Sequence, residues 1–198
     1  MNLKNWTITT YNFWMDQSRS FAALMRLGEH LRNADASAGP IDILVVGACA
    51  GILTGELPRG RTTIDCDVMV IAPVGAEADL LSASERVAQE LGMPARWFNT
   101  DVQLLRHALP AAWEGRRVHV LHAGALHVHA IGRLDLLAMK VYAGRAQDLD
   151  DVRAMRPSPD ELRFVAAYLD ALAVAGEPAP HIADARTVLD ALEGSHGR

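Results

Sequence analysis

Two carboxylates, Asp65 and Asp67, stand two residues apart in the otherwise apolar segment Thr63 to Ile71. Read as a strand, this segment puts Asp65, Asp67 and Met69 on one face and Ile64, Cys66 and Val68 on the other, because side chains alternate along a strand. Residues two apart rise roughly 6.6 Å, so both carboxylate heads can lean onto one cation. Mg²⁺ suits such a pair, being held by one or two carboxylates together with phosphate oxygens of a substrate. Ile64, Val68, Val70 and Ile71 read as buried, and two like charges that close together in a buried segment raise one pKa and destabilise the fold unless a cation answers them. The bland reading is an edge strand with a wet acidic face.

A second group of charges lies downstream. Leu134, Leu137, Ala138, Val141 and Tyr142 form one apolar helix face and leave Asp135, Lys140 and Arg145 on its rim. A shorter helix beginning near Asp148 turns Leu149, Val152 and Met155 inward, and places Asp148 and Asp151 together on its outer face. Such a cluster is either a surface ion-pair network or a lysine set to meet phosphate, oriented by an acid. Histidines make the third group, in a hairpin from Val118 to Ile131 that turns near Ala123 and Gly124. A two-residue loop would put His122, His127 and His129 on one face, with His119, Leu121, Leu126 and Val128 on the other. Imidazoles can hold Zn²⁺, but neither a Cys nor a helically spaced His pair accompanies them.

The elements before the two acids are an apolar strand from Ile43 to Val46, the small residues Gly47 and Ala48, a short helix, and a loop carrying Arg59 and Arg61. Backbone N–H groups at such a helix start bind anions. In this order the segment resembles the DNA polymerase β-like nucleotidyltransferase superfamily, in which a Gly-Gly or Gly-Ser turn precedes an Asp-x-Asp strand. The matching residues are Gly47, Ala48, Arg61, Thr63, Asp65 and Asp67. Ala48 departs from the family's second Gly or Ser and removes a hydroxyl contact to phosphate. The run Asp135-Leu-Leu-Ala-Met-Lys140, followed by Ala143, Arg145, Asp148 and Asp151, is similar to the helix pair after the sheet in small bacterial nucleotidyltransferases of the AbiEii type. Together the two resemblances span Ile43 to Met155.

The resemblance implies an α+β nucleotidyltransferase fold, a mixed sheet flanked by helices. It implies Mg²⁺ or Mn²⁺ on Asp65 and Asp67, with the phosphates of an NTP on Gly47, Ala48, Arg61, Thr63 and Lys140. Asp148 or Asp151 would orient Lys140 or the incoming nucleophile, which makes Asp65, Asp67, Lys140, Asp148 and Asp151 the catalytic set. The implied reaction moves an NMP to a protein hydroxyl, an RNA end or a small molecule, within a toxin–antitoxin or phage-defence pair that includes a cognate protein partner. Many such enzymes place a third carboxylate on a strand in the hairpin region. Here Glu114, in a Trp-Glu-Gly loop just before the hairpin, is the nearest acid. Ala48 and the missing strand acid favour the alternative, a catalytically inactive nucleotidyltransferase-like binding module.

Three segments are expected. Residues 1–40 hold the aromatics Trp6, Tyr11, Phe13 and Trp14, a packing helix with Phe21, Leu24, Met25 and Leu31 on one face, and a loop from Asn33 to Pro40. Residues 41–156 form the nucleotidyltransferase core, including a helix from Glu77 to Leu91 stopped by Gly92, then a short strand and loop offering Asn99 and Asp101 as site residues. Residues 157–198 hold two helices, Asp160 to Val174 and His181 to Leu192, after the chain breaks at Pro157 and Pro159.

The chain of 198 residues is half hydrophobic, enough for a sizeable core. Its net charge of -5 argues against an extended nucleic-acid surface, leaving Arg59, Arg61, Arg116 and Arg117 as the available phosphate contacts. Cys49 and Cys66 read as buried, reduced core residues. The longest apolar run, Ile43 to Leu53, is too short to cross a bilayer, and a polar start without a leader points to the cytoplasm.

Overall fold

A computed structural model describes residues 14–32 and 39–196. Trp6, Tyr11, Phe13 and most of the Asn33 to Pro40 loop lie outside the described residues. The elements run α1 (Gln17–Arg32), β1 (Ile41–Val45), α2 (Gly47–Thr54), β2 (Cys66–Ala72), α3 (Glu77–Leu91), β3 (Phe98–Asn99), a 3₁₀ helix (Asp101–Ala108), β4 (Val118–Ala123), β5 (Leu126–Ala130), α4 (Arg133–Ala143), α5 (Ala146–Met155), α6 (Pro159–Val174) and α7 (Ala179–His196). The architecture is α+β: a five-stranded mixed sheet flanked by helices, with a helical C-terminal part.

The strands lie in the order β3-β2-β1-β5-β4. β1 pairs antiparallel with β2 and parallel with β5, so the two most apolar strands sit at the centre. Ile43, Leu44, Val45, Val68, Met69 and Val70 are buried, on both faces, as strands covered by helices on either side require. α1 packs against α3 and crosses β4 closely at Gly28, where a Cβ would stand 2.1 Å from the Ala123 carbonyl oxygen. Leu24, Leu27 and Leu31 point inward from α1, whereas Met25, expected on that face, is exposed. α3 ends at Gly92 in the left-handed conformation, as its sequence predicts. α6 starts one residue earlier than its hydrophobic pattern suggests, because Ser158 and Glu161 form a capping box and Pro159 takes the first helical position.

The two-acid segment differs from its expected form. β2 begins at Cys66, and Thr63 instead pairs with Met15 in an isolated bridge, with N–H to oxygen distances of 2.7 and 3.0 Å. Ile64, expected in the core, is therefore 55% exposed on the outside of this bend. The hairpin turns at Gly124 and Ala125, one residue later than expected. No helix of the described residues is long and apolar enough to cross a membrane.

Candidate active site

Asp65 and Asp67 lie half-buried where the bend enters β2. Three features hold them. The Val46 amide donates to the Asp67 carbonyl at 2.9 Å, which ties the end of β1 to the start of β2. Thr63 Oγ1 donates to Asp65 Oδ1 at 3.0 Å, and Asn99 Nδ2, from the neighbouring β3, donates to Asp67 Oδ1 at 2.9 Å. Thr63 thus orients Asp65, and Asn99 is a positioning residue for Asp67. Asn99 is itself fixed by the Asp101 amide at 3.0 Å, while the Asp101 side chain turns out to Arg96 at 2.8 Å and is not brought to the site.

Gly47 opens α2 at φ +65°, and a Cβ there would stand 3.1 Å from Asp67 Oδ2. Glycine serves both requirements, a left-handed backbone and a close approach. No side chain caps this end of α2, so its first N–H groups remain open to an anion. Among the described residues no ion pair involves Asp65 or Asp67. Burial, and then the charge of Asp65, push the Asp67 carboxyl above its usual range, and the Asn99 hydrogen bond only partly offsets them. The pair is thus half-buried, mutually repelling and oxygen-rich, a donor set that fits a hard divalent cation. The cleft in front of it, about 280 Å³, is lined by Ala48, Arg61, Thr63, Asp65, Asp67 and Arg145, with Asp148 and Asp151 at its floor.

Lys140, Asp148 and Asp151 do come together, but inside the protein rather than on a helix rim. Lys140 is 2% exposed, and its Nζ donates to Asp148 Oδ1 at 3.0 Å and to Asp151 Oδ2 at 2.7 Å. Asp151 also accepts from Arg61 Nε at 2.6 Å, and Asp148 from Arg145 Nε at 2.6 Å. Burial raises the Asp151 pKa, yet hydrogen bonds from Arg61 and Lys140 outweigh it and hold the carboxyl below its ordinary value. The outer face expected for Asp148 and Asp151 is in fact the face α5 turns toward α4, since a lysine between them satisfies both acids. Asp135 is likewise corrected from rim to core: fully buried, it accepts from Arg116 Nη2 at 2.6 Å, which removes Arg116 from the set of phosphate contacts.

Arg145 is the residue that spacing alone undervalues. Its side chain is 73% exposed, and its hydrogen bond to Asp148, then the charges of Asp148, Asp67 and Asp65, raise its pKa against the opposing effect of burial. With Lys140 enclosed and Arg61 turned to Asp151, Arg145 is the cation that faces the two strand acids from open solvent. Its position just before α5, beside a downstream Asp, was the signal available in the sequence.

The histidines gather elsewhere. Register slips between His119 and Leu121, so His119 joins the face of His122, His127 and His129 instead of opposing it. His122 packs edge-on against His127 with centroids 4.3 Å apart, and His127 Nδ1 lies 3.1 Å from Asp42 Oδ1. Among the described residues no group of three or more His, Cys, Asp or Glu is placed to hold a metal ion. Neither β4 nor β5 carries a carboxylate, and Glu114 is exposed in its own 3₁₀ turn. Cys49 and Cys66 are buried free thiols; their mutual hydrogen bond and then burial push Cys66 up.

No curated protein and no solved structure matches the chain. Residues 22–157 match the family model of a nucleotidyltransferase of unknown function, DUF6036, a span that runs from α1 through α5 and contains both acid pairs. The chain belongs to this nucleotidyltransferase family.

Proposed function

We propose that the protein transfers a nucleoside monophosphate from an NTP to an acceptor hydroxyl, using Mg²⁺ or Mn²⁺ held by Asp65 and Asp67. The observation that supports this is the carboxylate pair itself, half-buried at the start of β2 with no cation bonded to it among the described residues, beside the N-terminus of α2. Mg²⁺ would supply Lewis-acid stabilisation of charge developing on the phosphoryl oxygens. The chain's own residues bind and orient. Gly47 and Ala48 offer backbone N–H groups to the triphosphate, Thr63 and Asn99 fix the two carboxylates, and Arg145 neutralises charge on the departing pyrophosphate. The acceptor oxygen forms a bond to the α-phosphorus as the bond from that phosphorus to the α,β-bridging oxygen breaks; pyrophosphate leaves with the bridging oxygen, and the hydroxyl proton passes to solvent.

Lys140, Asp148, Asp151 and Arg61 act one step back: they lock α4 to α5 and hold Arg145 in front of the acids. A contact from Lys140 to phosphate requires the helix pair to open. The acceptor is a protein hydroxyl, an RNA end or a small molecule, in a toxin–antitoxin or phage-defence pair with a cognate partner, as the sequence resemblance implies. Transfer of α-labelled NMP by the wild type, lost in Asp65→Asn with Asp67→Asn, tests the reading. The enclosure of Lys140, together with Ala48, favours a second reading, an inactive binding module; NTP binding without label transfer to any acceptor would select it.

A further inference from the structure

A second cleft, about 240 Å³, adjoins the polar one and shares Asp67, Arg145 and Asp148 with it. Its walls are Val102 and Leu105 of the 3₁₀ helix, Met139 and Tyr142 of α4, Tyr168 of α6 and His181 of α7. The tyrosine hydroxyls and one ring nitrogen of His181 are already engaged. Tyr142 Oη donates to Glu177 Oε2 at 2.5 Å, Tyr168 Oη donates to the Ala108 carbonyl at 2.7 Å, and His181 Nε2 lies 2.8 Å from the Tyr142 carbonyl oxygen. Tyr142 is held on both sides, with its ring 4.4 Å from that of His181 and edge-on to Tyr168 at 6.2 Å. What remains is a preformed apolar slot whose mouth is the proposed phosphoryl-transfer centre.

We propose that this slot takes the nucleoside of the donor nucleotide, and takes it by apolar and ring contact without hydrogen-bond readout of the base. The inference rests on the transferase reading above. If the triphosphate lies in the polar cleft against Arg145 and the α2 N-terminus, the rest of the same molecule must leave past Asp67, and the apolar slot begins there. A hydroxyl-rich acceptor is a poor match for largely apolar walls whose tyrosine hydroxyls are satisfied internally. A base is a good match, because every base offers a π-face and stacking tolerates sequence. Strong discrimination between ligands comes from buried polar groups left unpaired by the wrong one, and this slot presents none from its tyrosines. The four common bases are therefore accepted with similar affinity. The loop between α6 and α7 contributes by fixing the wall: Glu177 bridges Tyr142 to His107 of the 3₁₀ helix, 3.0 Å away.

Calorimetry on the full chain with Mg²⁺ tests this, titrating inorganic tripolyphosphate and the α,β-non-hydrolysable analogues of ATP, GTP, CTP and UTP. The four analogues should bind within about tenfold of one another, each at least about tenfold tighter than tripolyphosphate. Leu105→Trp, at a rim position 45% exposed, should fill the slot and erase that margin while tripolyphosphate binds as in wild type, which also certifies the fold. A spread among bases wider than tenfold, no margin over tripolyphosphate, or a margin that survives Leu105→Trp and Leu105→Arg overturns the inference and leaves the transferase reading standing. If neither tripolyphosphate nor any analogue binds, the transferase reading fails, and the inference with it.

Discussion

Two carboxylate pairs border one cleft and are treated in opposite ways. Asp148 and Asp151 are nearly inaccessible, and each is paired twice, with Lys140 between them and Arg145 and Arg61 outside. Asp65 and Asp67 are more open, no cation among the described residues is bonded to them, and Asp67 is held above its usual pKa by burial and by its neighbour. One acid pair completes a structure; the other is the pair we propose to bind a cation. A buried charge survives only when paired and hydrogen-bonded, and the α4–α5 pair meets that condition from within the chain. The strand pair leaves it to be met from outside.

The largest effect that would break this contrast is on stability. Lys140→Met leaves two buried carboxylates facing each other, and removing one partner of a buried ion pair costs about 3–5 kcal/mol. Urea unfolding should show the midpoint fall accordingly. A loss within about 0.5 kcal/mol, the range of ordinary surface changes, would make Lys140 a surface residue after all. Its effect on triphosphate affinity should not exceed what partial unfolding explains.

Asp67→Asn should act in the opposite sense on the two readouts. Mg²⁺ binding should weaken by more than about tenfold, while stability without metal rises by about 0.5–2 kcal/mol, since relieving repulsion at a functional site is commonly stabilising. Calorimetry and thermal unfolding on the same sample check both. A variant less stable than wild type would mean that the pair is structurally satisfied like its counterpart.

The difference between the pairs also explains what could be read from the sequence. Alternation and turn chemistry revealed the acids, the helix from Glu77 to Leu91 and the order of strand, glycine and helix, because each is a local pattern. The bend at Thr63 was not legible: Met15, far away in sequence, takes the hydrogen bonds that a longer β2 would have used. The inward turn of Asp148 and Asp151 was hidden for a related reason. Helical periodicity assigns charged residues to solvent, and only the tertiary placement of Lys140, with Arg61 from a separate loop, makes their burial favourable. Asn99 reads from the sequence as a site residue together with Asp101, but its particular contact comes only from the parallel pairing of β3 with β2 beside Asp67.

Asn99→Ala sharpens the contrast by loosening only the ligand-ready pair. Outer-shell partners of a metal site are worth about 10–100-fold in affinity, and a change near the lower end is expected for this one hydrogen bond. Metal affinity should fall about tenfold with the fold intact, and the Asp67 carboxyl should titrate higher still, because the Asn99 hydrogen bond is the larger of the two influences that lower it, the charge of Arg145 being the other. An unchanged affinity would remove Asn99 from the site.

The smallest expected effect is in the pH dependence of stability, where the two pairs should have opposite signs. Asp67 has a folded pKa above its unfolded value, so its contribution is fully present below the unfolded pKa and is lost as pH rises through the folded one. Asp151 has a folded pKa below its unfolded value, so its contribution is present above the unfolded pKa and is lost as pH falls through the folded one. The stability gained by Asp67→Asn over wild type should accordingly grow as pH rises above the ordinary carboxylate value and level off beyond the raised pKa. The stability lost by Asp151→Asn should be largest at neutral pH and shrink as pH falls below that same ordinary value. Urea midpoints of wild type and both variants, taken without divalent metal from about pH 3 to pH 7, measure the two differences directly. Curves of the same sign would show that both acid pairs are neutralised from within the chain, and the distinction between a structural pair and a ligand-ready pair would fall.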